Sequence, residues 1–171
     1  VIDGQVLTAN ISSIGWLNVS GINISDLTGI EDFTALIYLQ CNGNQLTSLD
    51  LSQNTALDFL WCSNNQLTSL DVSQNTALTV LACQENQLNC LNLKNGNNEN
   101  MSLSADCNPN LACIEVDDPS WAEQNWGTNN GQWNYSTNCD YPADCGGSFS
   151  VGPYTLIPDQ NFEQVLIDLC S

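Results

Sequence analysis

The residues LIYLQCNGNQLTSLDL (36–51) return twice along the chain, as LDFLWCSNNQLTSLDV (57–72) and as LTVLACQENQL (78–88). The period is 21 residues, and self-similarity at a short fixed period is typical of a solenoid. The linking pentapeptide SQNTA is identical at residues 52–56 and 73–77. A degenerate earlier copy lies at residues 14–27 and a late one at residues 105–110. The sequence therefore predicts a stack of short coils.

Each unit follows the leucine-rich-repeat pattern L-x-x-L-x-L-x-x-N-x-L, with cysteine at the third apolar position. The second leucine and the cysteine are two residues apart, so both point to one face of a short strand. Each coil then adds one strand to a parallel sheet, about 4.8 Å from its neighbour. We predict a mainly β fold, a right-handed leucine-rich-repeat solenoid with coils of about 21 residues, over residues 1–118.

The cysteine and the asparagine of each unit are predicted to form a ladder through the core. The asparagine amide can satisfy backbone groups of adjoining coils, and a buried cysteine behaves as a small apolar residue. A metal site is the alternative, but one cysteine per coil does not supply a tetrahedral set of sulfur ligands. The predicted ladder consists of Cys41, Cys62, Cys83 and Cys107 with Asn44, Asn65, Asn86 and Asn110.

The charge balance excludes several classes of function. The 171 residues include 19 Asp and Glu, one cation (Lys94) and no histidine, giving a formal charge of -18. One cation cannot neutralise nucleic-acid phosphates or attract an anionic membrane. The lack of histidine excludes histidine-dependent triads, and no carboxylate pair stands out as a glycosidase site. We therefore expect no enzyme.

Calcium is the one cofactor for which the sequence offers ligands. The hard oxygen donors are those of Asp3, Asp26, Glu31, Asp32, Asp117 and Asp118. No D-x-D-x-D-G run occurs, so diffuse association of cations is the expectation, with no specific metal or other cofactor. No apolar run is long enough to insert into a membrane.

Five of the nine cysteines lie off the predicted ladder, and a high cysteine content favours an oxidising, extracellular setting. We favour pairing Cys90 with Cys113 and Cys139 with Cys145, although spacing alone does not fix the connectivity. Cys170 is then left over. It is either a link to a neighbouring module or a free buried thiol.

The chain continues past the solenoid in two further segments. Residues 119–153 are predicted to be a carboxyl-terminal cap and linker, whose tryptophans cover the open end of the solenoid. Residues 154–171 are predicted to form a short amphipathic helix, with Asp159 as its N-cap and an apolar stripe at helical spacing.

The apolar stripe of that helix must be buried, and three arrangements satisfy this requirement. The helix caps the solenoid of the next module in a head-to-tail array, it folds back on its own amino-terminal coil, or the chain ends at an arbitrary place. We favour the array, because an uncapped first coil exposes core and heterologous contacts build open filaments. The predicted assembly seam consists of Val1, Ile2, Leu7, Phe162, Val165, Leu166, Leu169 and Cys170.

Solenoids bind partners through the sheet face that points away from the core. The positions that flank the inward leucine and cysteine carry several aromatic residues, and soluble proteins seldom expose such patches without a function. Strand propensity and coverage by residues 119–150 are the alternatives. The predicted binding residues on the concave face are Trp16, Tyr38, Gln40, Phe59 and Trp61.

These motifs resemble a known group of proteins. Residues 26–36, the NQLTSLD repeats and residues 111–118 are similar to secreted leucine-rich-repeat surface proteins of Bacteroidota and distantly to internalin-type proteins. Residues 157–169 resemble the amino-terminal cap of that group. The resemblance covers most of the chain except about residues 119–153, and it implies an extracellular or cell-surface protein exported by a dedicated secretion system.

Two functions remain open at this point. The first is a structural or adhesive extracellular module whose partners are copies of itself or similar modules, assembled head to tail into a fibre or tandem array. The second is a single adhesin domain that recognises a protein or glycan through its concave face. The resemblance transfers no catalytic residue to this chain.

Overall fold

The computed structural model describes residues 5–7, 11–127, 132–141, 154–156, 159–162 and 164–165, with residues 5–7 and 154–156 described by their backbone alone. All strands among these residues are three residues long, as expected for tight coils. They are β1 (Gln5–Leu7), β2 (Trp16–Asn18), β3 (Tyr38–Gln40), β4 (Phe59–Trp61), β5 (Ser69–Asp71), β6 (Val80–Ala82), β7 (Cys90–Asn92), β8 (Ser102–Ser104), β9 (Cys113–Glu115), β10 (Asn134–Ser136) and β11 (Tyr154–Leu156). The helix α1 (Pro119–Asn125) and the 3-10 turns Ile30–Asp32 and Asn98–Asn100 lie between them.

The coils stack into two parallel sheets. The first sheet has the order β2-β3-β4-β6-β8 and contains the first strand of each coil. The second sheet has the order β10-β9-β7-β5 and contains the strand that follows about ten residues later in the regular coils. Leu39, Leu60 and Leu81 lie in register and are buried. The predicted leucine-rich-repeat solenoid with parallel sheets is thereby confirmed.

The cysteines of the regular coils lie in the core, as predicted. Cys41, Cys62 and Cys83 are fully buried and carry free thiols. Burial raises the pKa of Cys41 to about 12. Burial, and then the neighbouring thiol, raise the pKa of Cys62 and of Cys83 well above the ordinary value. These thiols are therefore neutral packing groups, which leaves them unsuited to nucleophilic chemistry.

The buried asparagines tie each coil to the next. Asn65 Nδ2 donates to the carbonyls of Cys41 and Cys62 at 3.0 and 3.1 Å, and Asn65 Oδ1 accepts from the Leu46 amide at 3.0 Å. Asn86 repeats this pattern one coil later, where its Nδ2 donates to the carbonyl of Cys62. One side chain thus satisfies three backbone groups that the short strands leave unpaired.

The last rung of the ladder differs from the prediction. Asn108, and not Asn110, donates to the carbonyls of Cys83 and Ala105 and accepts from the Leu88 amide. Ala105 is buried in the place of a ladder cysteine, whereas Cys107 is exposed. The assignment of Cys107 and Asn110 to the ladder was therefore wrong by two residues. The reason is that Leu103 pairs with Leu81, so this coil has 22 residues, one more than the period. The predicted step from Cys83 to Cys107 would have required three extra residues.

A second asparagine ladder, which the sequence analysis missed, runs along the opposite side of the coils. Asn54 Nδ2 donates to the carbonyls of Ile30 and Phe33 at 2.8 and 3.1 Å. Asn75, one coil later, donates to the carbonyls of Leu51 and Asn54 at 3.0 and 2.9 Å. Both residues belong to the identical SQNTA links, whose repetition was visible in the sequence. The SQNTA links thus form hydrogen bonds between neighbouring coils in addition to forming turns.

The carboxyl-terminal end of the solenoid is covered by α1 and β10. Asp118 caps α1 by accepting from the amides of Ser120 and Trp121, and Ala122 and Trp133 join the hydrophobic core. Strand β10 pairs with β9 in parallel and extends the second sheet by one strand. None of the helices in the described ranges is long and apolar enough to cross a membrane.

Both predicted disulfide pairings were wrong, because Cys113 is bonded to Cys139. Strand β10 lies beside β9, so the residues just after β10 return to the position of Cys113. Cys90 is also disulfide-bonded. Cys145 lies outside the described residues.

The register of the ladder can be tested by substituting two asparagines that are two residues apart. Asn108→Ala is expected to lower the free energy of unfolding by about 2–4 kcal/mol, because it leaves buried carbonyl and amide groups without partners. Asn110→Ala is the matched control, because Asn110 is exposed, and we expect a change below about 0.5 kcal/mol. Urea denaturation measures both, and similar losses in the two variants would contradict the register described above.

Candidate functional site

The first sheet presents the predicted binding residues on one face. Trp16 lies beside Tyr38 and Tyr38 beside Phe59, while Gln40 lies beside Trp61 in the neighbouring row. Trp16 is 61% exposed and Tyr38 is 36% exposed, and the other three side chains are partly exposed. The register of the strands therefore brings all five residues together, as the sequence predicted for this face.

The aromatic side chains of this face form a continuous row, which we call the aromatic ridge (Trp16, Tyr38, Phe59 and Trp61). The Tyr38 and Phe59 rings stack with centroids 4.5 Å apart and planes 10° from parallel. The Phe59 and Trp61 rings are 6.1 Å apart and tilted by 42°. Such offset and tilted pairs are favourable and restrict the rotamers of their members. The rings of Tyr38, Phe59 and Trp61 are therefore fixed before any partner arrives.

The character of the face changes along the sheet. On β6 and β8 the outward positions are occupied by Val80, Ala82, Ser102 and Ser104, all of them smaller than the ridge residues. Beside the ridge, Thr79 Oγ1 donates a hydrogen bond to the Asp58 carboxylate. In the described part of the chain no group of three or more Asp, Glu and Cys side chains is placed to hold a metal ion. The bulky side chains of this face thus lie at its amino-terminal end.

A cavity of about 200 Å³ lies at the other end of the same sheet, and we call it the end cavity. From the sequence, the tryptophans among its lining residues were predicted only to cover the end of the solenoid. The alternation of Trp133, Asn134 and Tyr135 was a usable signal for a strand with one buried face. The end cavity is lined by Leu103, Ala105, Asp106, Trp126, Trp133 and Tyr135.

The described side chains of the predicted assembly seam, Phe162 and Val165, pack within this chain. Strand β1 pairs with β11 in antiparallel fashion, and Phe162 is fully buried and stacks on Phe33 with centroids 6.2 Å apart. Val165 packs against the same core. Of the three arrangements considered, the fold-back is the one that the structure contains, and assembly between copies stays a prediction. Leu7 is described by its backbone, and the remaining seam residues, Val1, Ile2, Leu166, Leu169 and Cys170, lie outside the described residues.

Polar contacts hold the docked segment, which we define as residues 159–162 and 164–165. Asp159 accepts from the amide and hydroxyl of Ser25 at 2.8 and 3.1 Å and from the amides of Asn161 and Phe162. Asn161 Nδ2 donates to the carbonyl of Asn23. Partial burial acts to raise the pKa of Asp159, but the hydrogen bonds from Ser25, Phe162 and Asn161 outweigh it and lower that pKa. The predicted N-cap thus also anchors the segment to the solenoid.

Solved structures of three Listeria monocytogenes proteins are similar to this chain. The functional domain of InlJ, which includes a cysteine ladder, is 32% identical over 63% of this chain and 26% of its own, with a TM-score of 0.49. Internalin C2 is 21% identical over 77% of this chain and 56% of its own, with a TM-score of 0.48. Internalin InlF is 24% identical over 76% of this chain and 49% of its own, with a TM-score of 0.45.

The chain therefore spans between about a quarter and just over half of the length of these structures. No protein-family model and no curated protein matches it.

The contacts of Asp159 predict a dependence of docking on pH. The lowered pKa means that the ionised form stabilises docking fully above the unfolded value of about 3.9 and loses this effect as the pH falls through the lowered pKa. Asp159→Ala, which removes the acceptor, is expected to speed hydrogen exchange of residues 159–165 about fivefold near neutral pH. Asp159→Asn keeps an acceptor and is expected to remove the acid dependence. Gln160→Ala, at an exposed neighbour, is the control, and unchanged exchange in Asp159→Ala would contradict the anchoring role.

Proposed function

We propose that the chain is a non-enzymatic extracellular recognition module that binds a protein partner through the concave face of its first sheet. The observation that supports this proposal is the aromatic ridge, whose side chains are exposed or partly exposed on three successive coils. Ring contacts hold Tyr38, Phe59 and Trp61 in place. Tryptophan and tyrosine contribute most to hot spots at protein interfaces, because they bury a large area at a low entropic cost.

The orientation of the rings favours a protein over a glycan. Tyr38 and Phe59 turn their faces toward each other, so their edges point outward from the sheet. A sugar ring needs an open aromatic face on which to stack, whereas a protein surface contacts edges and the grooves between them equally well. Gln40, beside the ridge, adds an amide for hydrogen bonds to a partner's backbone.

The covalent chemistry of the chain supports an extracellular setting. The Cys113–Cys139 bond and the bonded state of Cys90 are maintained in oxidising compartments. The free thiols of the ladder are buried beyond the reach of oxidants.

Head-to-tail assembly into a fibre is the second candidate function, and the chemistry of the docked segment favours it. The contacts of Asp159, Asn161 and Phe162 join the solenoid through side chains alone, to residues more than 120 positions away in the sequence. The same contacts between neighbouring copies would exchange the segment and generate an open array, which is a low-cost route to assembly.

Binding by the ridge can be measured with the labelled chain on a panel of immobilised extracellular matrix proteins and on a glycan array. The double variant Trp16→Ala with Trp61→Ala is expected to lose at least about tenfold in affinity for a protein that the unmodified chain binds. The double variant Gln66→Ala with Gln87→Ala, at exposed turn positions, is the control and is expected to bind normally. Unchanged protein binding in the tryptophan variant would refute the proposal, and binding to glycans alone would replace it.

Assembly is tested separately by light scattering and electron microscopy at rising protein concentration. Exchange of the docked segment predicts long particles that shorten when Phe162→Ser removes the buried ring. A particle that stays at the 18.6 kDa of one chain would exclude the fibre and leave the recognition proposal standing.

A further inference from the structure

The geometry of the end cavity points to a binding site for a lysine or arginine side chain of the partner. This inference deepens the proposed function, on which it rests for the partner being a protein, by naming a chemical feature of that partner. The site is separate from the aromatic ridge, because it lies at the opposite end of the first sheet, beside β8.

The walls of the end cavity are held by their own contacts. Trp126 packs edge-to-face on Trp121 at 5.4 Å and donates its indole hydrogen to the Met101 carbonyl at 3.0 Å. Trp133 donates to the Tyr135 hydroxyl, which in turn donates to the Gly127 carbonyl at 2.7 Å. Because these aromatic residues already have partners, the cavity needs no rearrangement to accept a side chain.

The last strand of the first sheet forms one wall of the end cavity. Strand β8 is the last strand of the first sheet, and its residues Ser102 and Ser104 form hydrogen bonds toward the preceding coil. In a parallel strand the intervening residue turns its amide and carbonyl to the other side. The backbone groups of Leu103 therefore point away from the preceding coil, and Leu103 lines the end cavity.

Charge decides which kind of side chain fits. Asp106 is exposed and lines the end cavity, and the chain's single cation, Lys94, donates its ammonium hydrogen to the Thr137 carbonyl at 2.8 Å. With a formal charge of -18, the chain has no other cation to neutralise Asp106. The Asp106 carboxylate and the half-buried Trp126 ring together match the charged head and apolar stem of arginine or lysine.

The size and shape of the end cavity disfavour a sugar. Its volume of about 200 Å³ is below the roughly 300–1,000 Å³ of pockets for drug-sized ligands, and suits one long side chain. Trp133 and Tyr135 are 6% and 5% exposed, so they form the floor and offer no open ring face for stacking.

The test uses the whole chain and two capped tripeptides, acetyl-Gly-Arg-Gly-amide and its neutral isostere with citrulline in place of arginine. The probes are titrated to about ten times the millimolar dissociation constant expected for one side chain. Two-dimensional NMR follows the amides of Leu103 and Ala105 and the indole of Trp126. The arginine peptide is expected to shift these signals, and the citrulline peptide to bind at least about fivefold more weakly.

Two variants separate a site from diffuse attraction to an acidic surface. Asp106→Asn is expected to weaken arginine-peptide binding about fivefold, whereas Glu99→Gln removes the same charge at an exposed position outside the end cavity and is expected to change it less than twofold. Equal losses in the two variants, equal binding of citrulline, no shifts at all, or equal shifts with glucose would each overturn the inference. The Trp16 and Trp61 double variant should still bind the peptide, so failure of the ridge and failure of the end cavity are distinguishable.

Discussion

The hydrogen bonds of buried asparagine side chains hold the coils of this chain together. A coil of 21 residues with strands of three residues cannot pair all of its backbone groups with its neighbours. Asn65 compensates by bonding two carbonyls and one amide on the concave side, and Asn75 bonds two carbonyls on the opposite side. The second ladder forms fewer hydrogen bonds per asparagine, because the Oδ1 atoms of Asn54 and Asn75 have no hydrogen-bond partner. Coils tied at both sides cannot slide, which keeps the outward side chains in register.

That register explains why the fold and the ridge could be predicted from the sequence. The face that a side chain occupies on a strand depends only on the alternation of neighbours, and the period of 21 residues repeats it. Prediction failed where the period changed. Around residue 105 the sequence offers both Ala105 with Asn108 and Cys107 with Asn110 at the same spacing, and the cysteine favoured the wrong pair. Only the pairing of Leu103 with Leu81 resolves this choice.

The disulfide and the docked segment depend on contacts that no repeat encodes. Cys139 reaches Cys113 because β10 stacks on β9, although residues 119–141 contain no leucine repeat. The docked segment covers the first coil with its apolar face. The same face would cover the first coil of a neighbouring molecule equally well. Its amphipathic pattern predicts burial without specifying the surface that buries it, so the sequence left the array and the fold-back open.

The distance between the two proposed sites, the aromatic ridge and the end cavity, also determines what kind of partner they can share. Trp61 on β4 and Asp106 after β8 are separated by two strand spacings, about 10 Å, which an extended segment of a few residues spans. Screening at physiological salt acts over about 8 Å, so the charge of -18 attracts a basic partner weakly from afar and strongly on contact. For the proposed partner, specificity then comes from the spacing between the aromatic ridge and the Asp106 carboxylate. The asparagine ladders fix that spacing, since they set the distance from coil to coil.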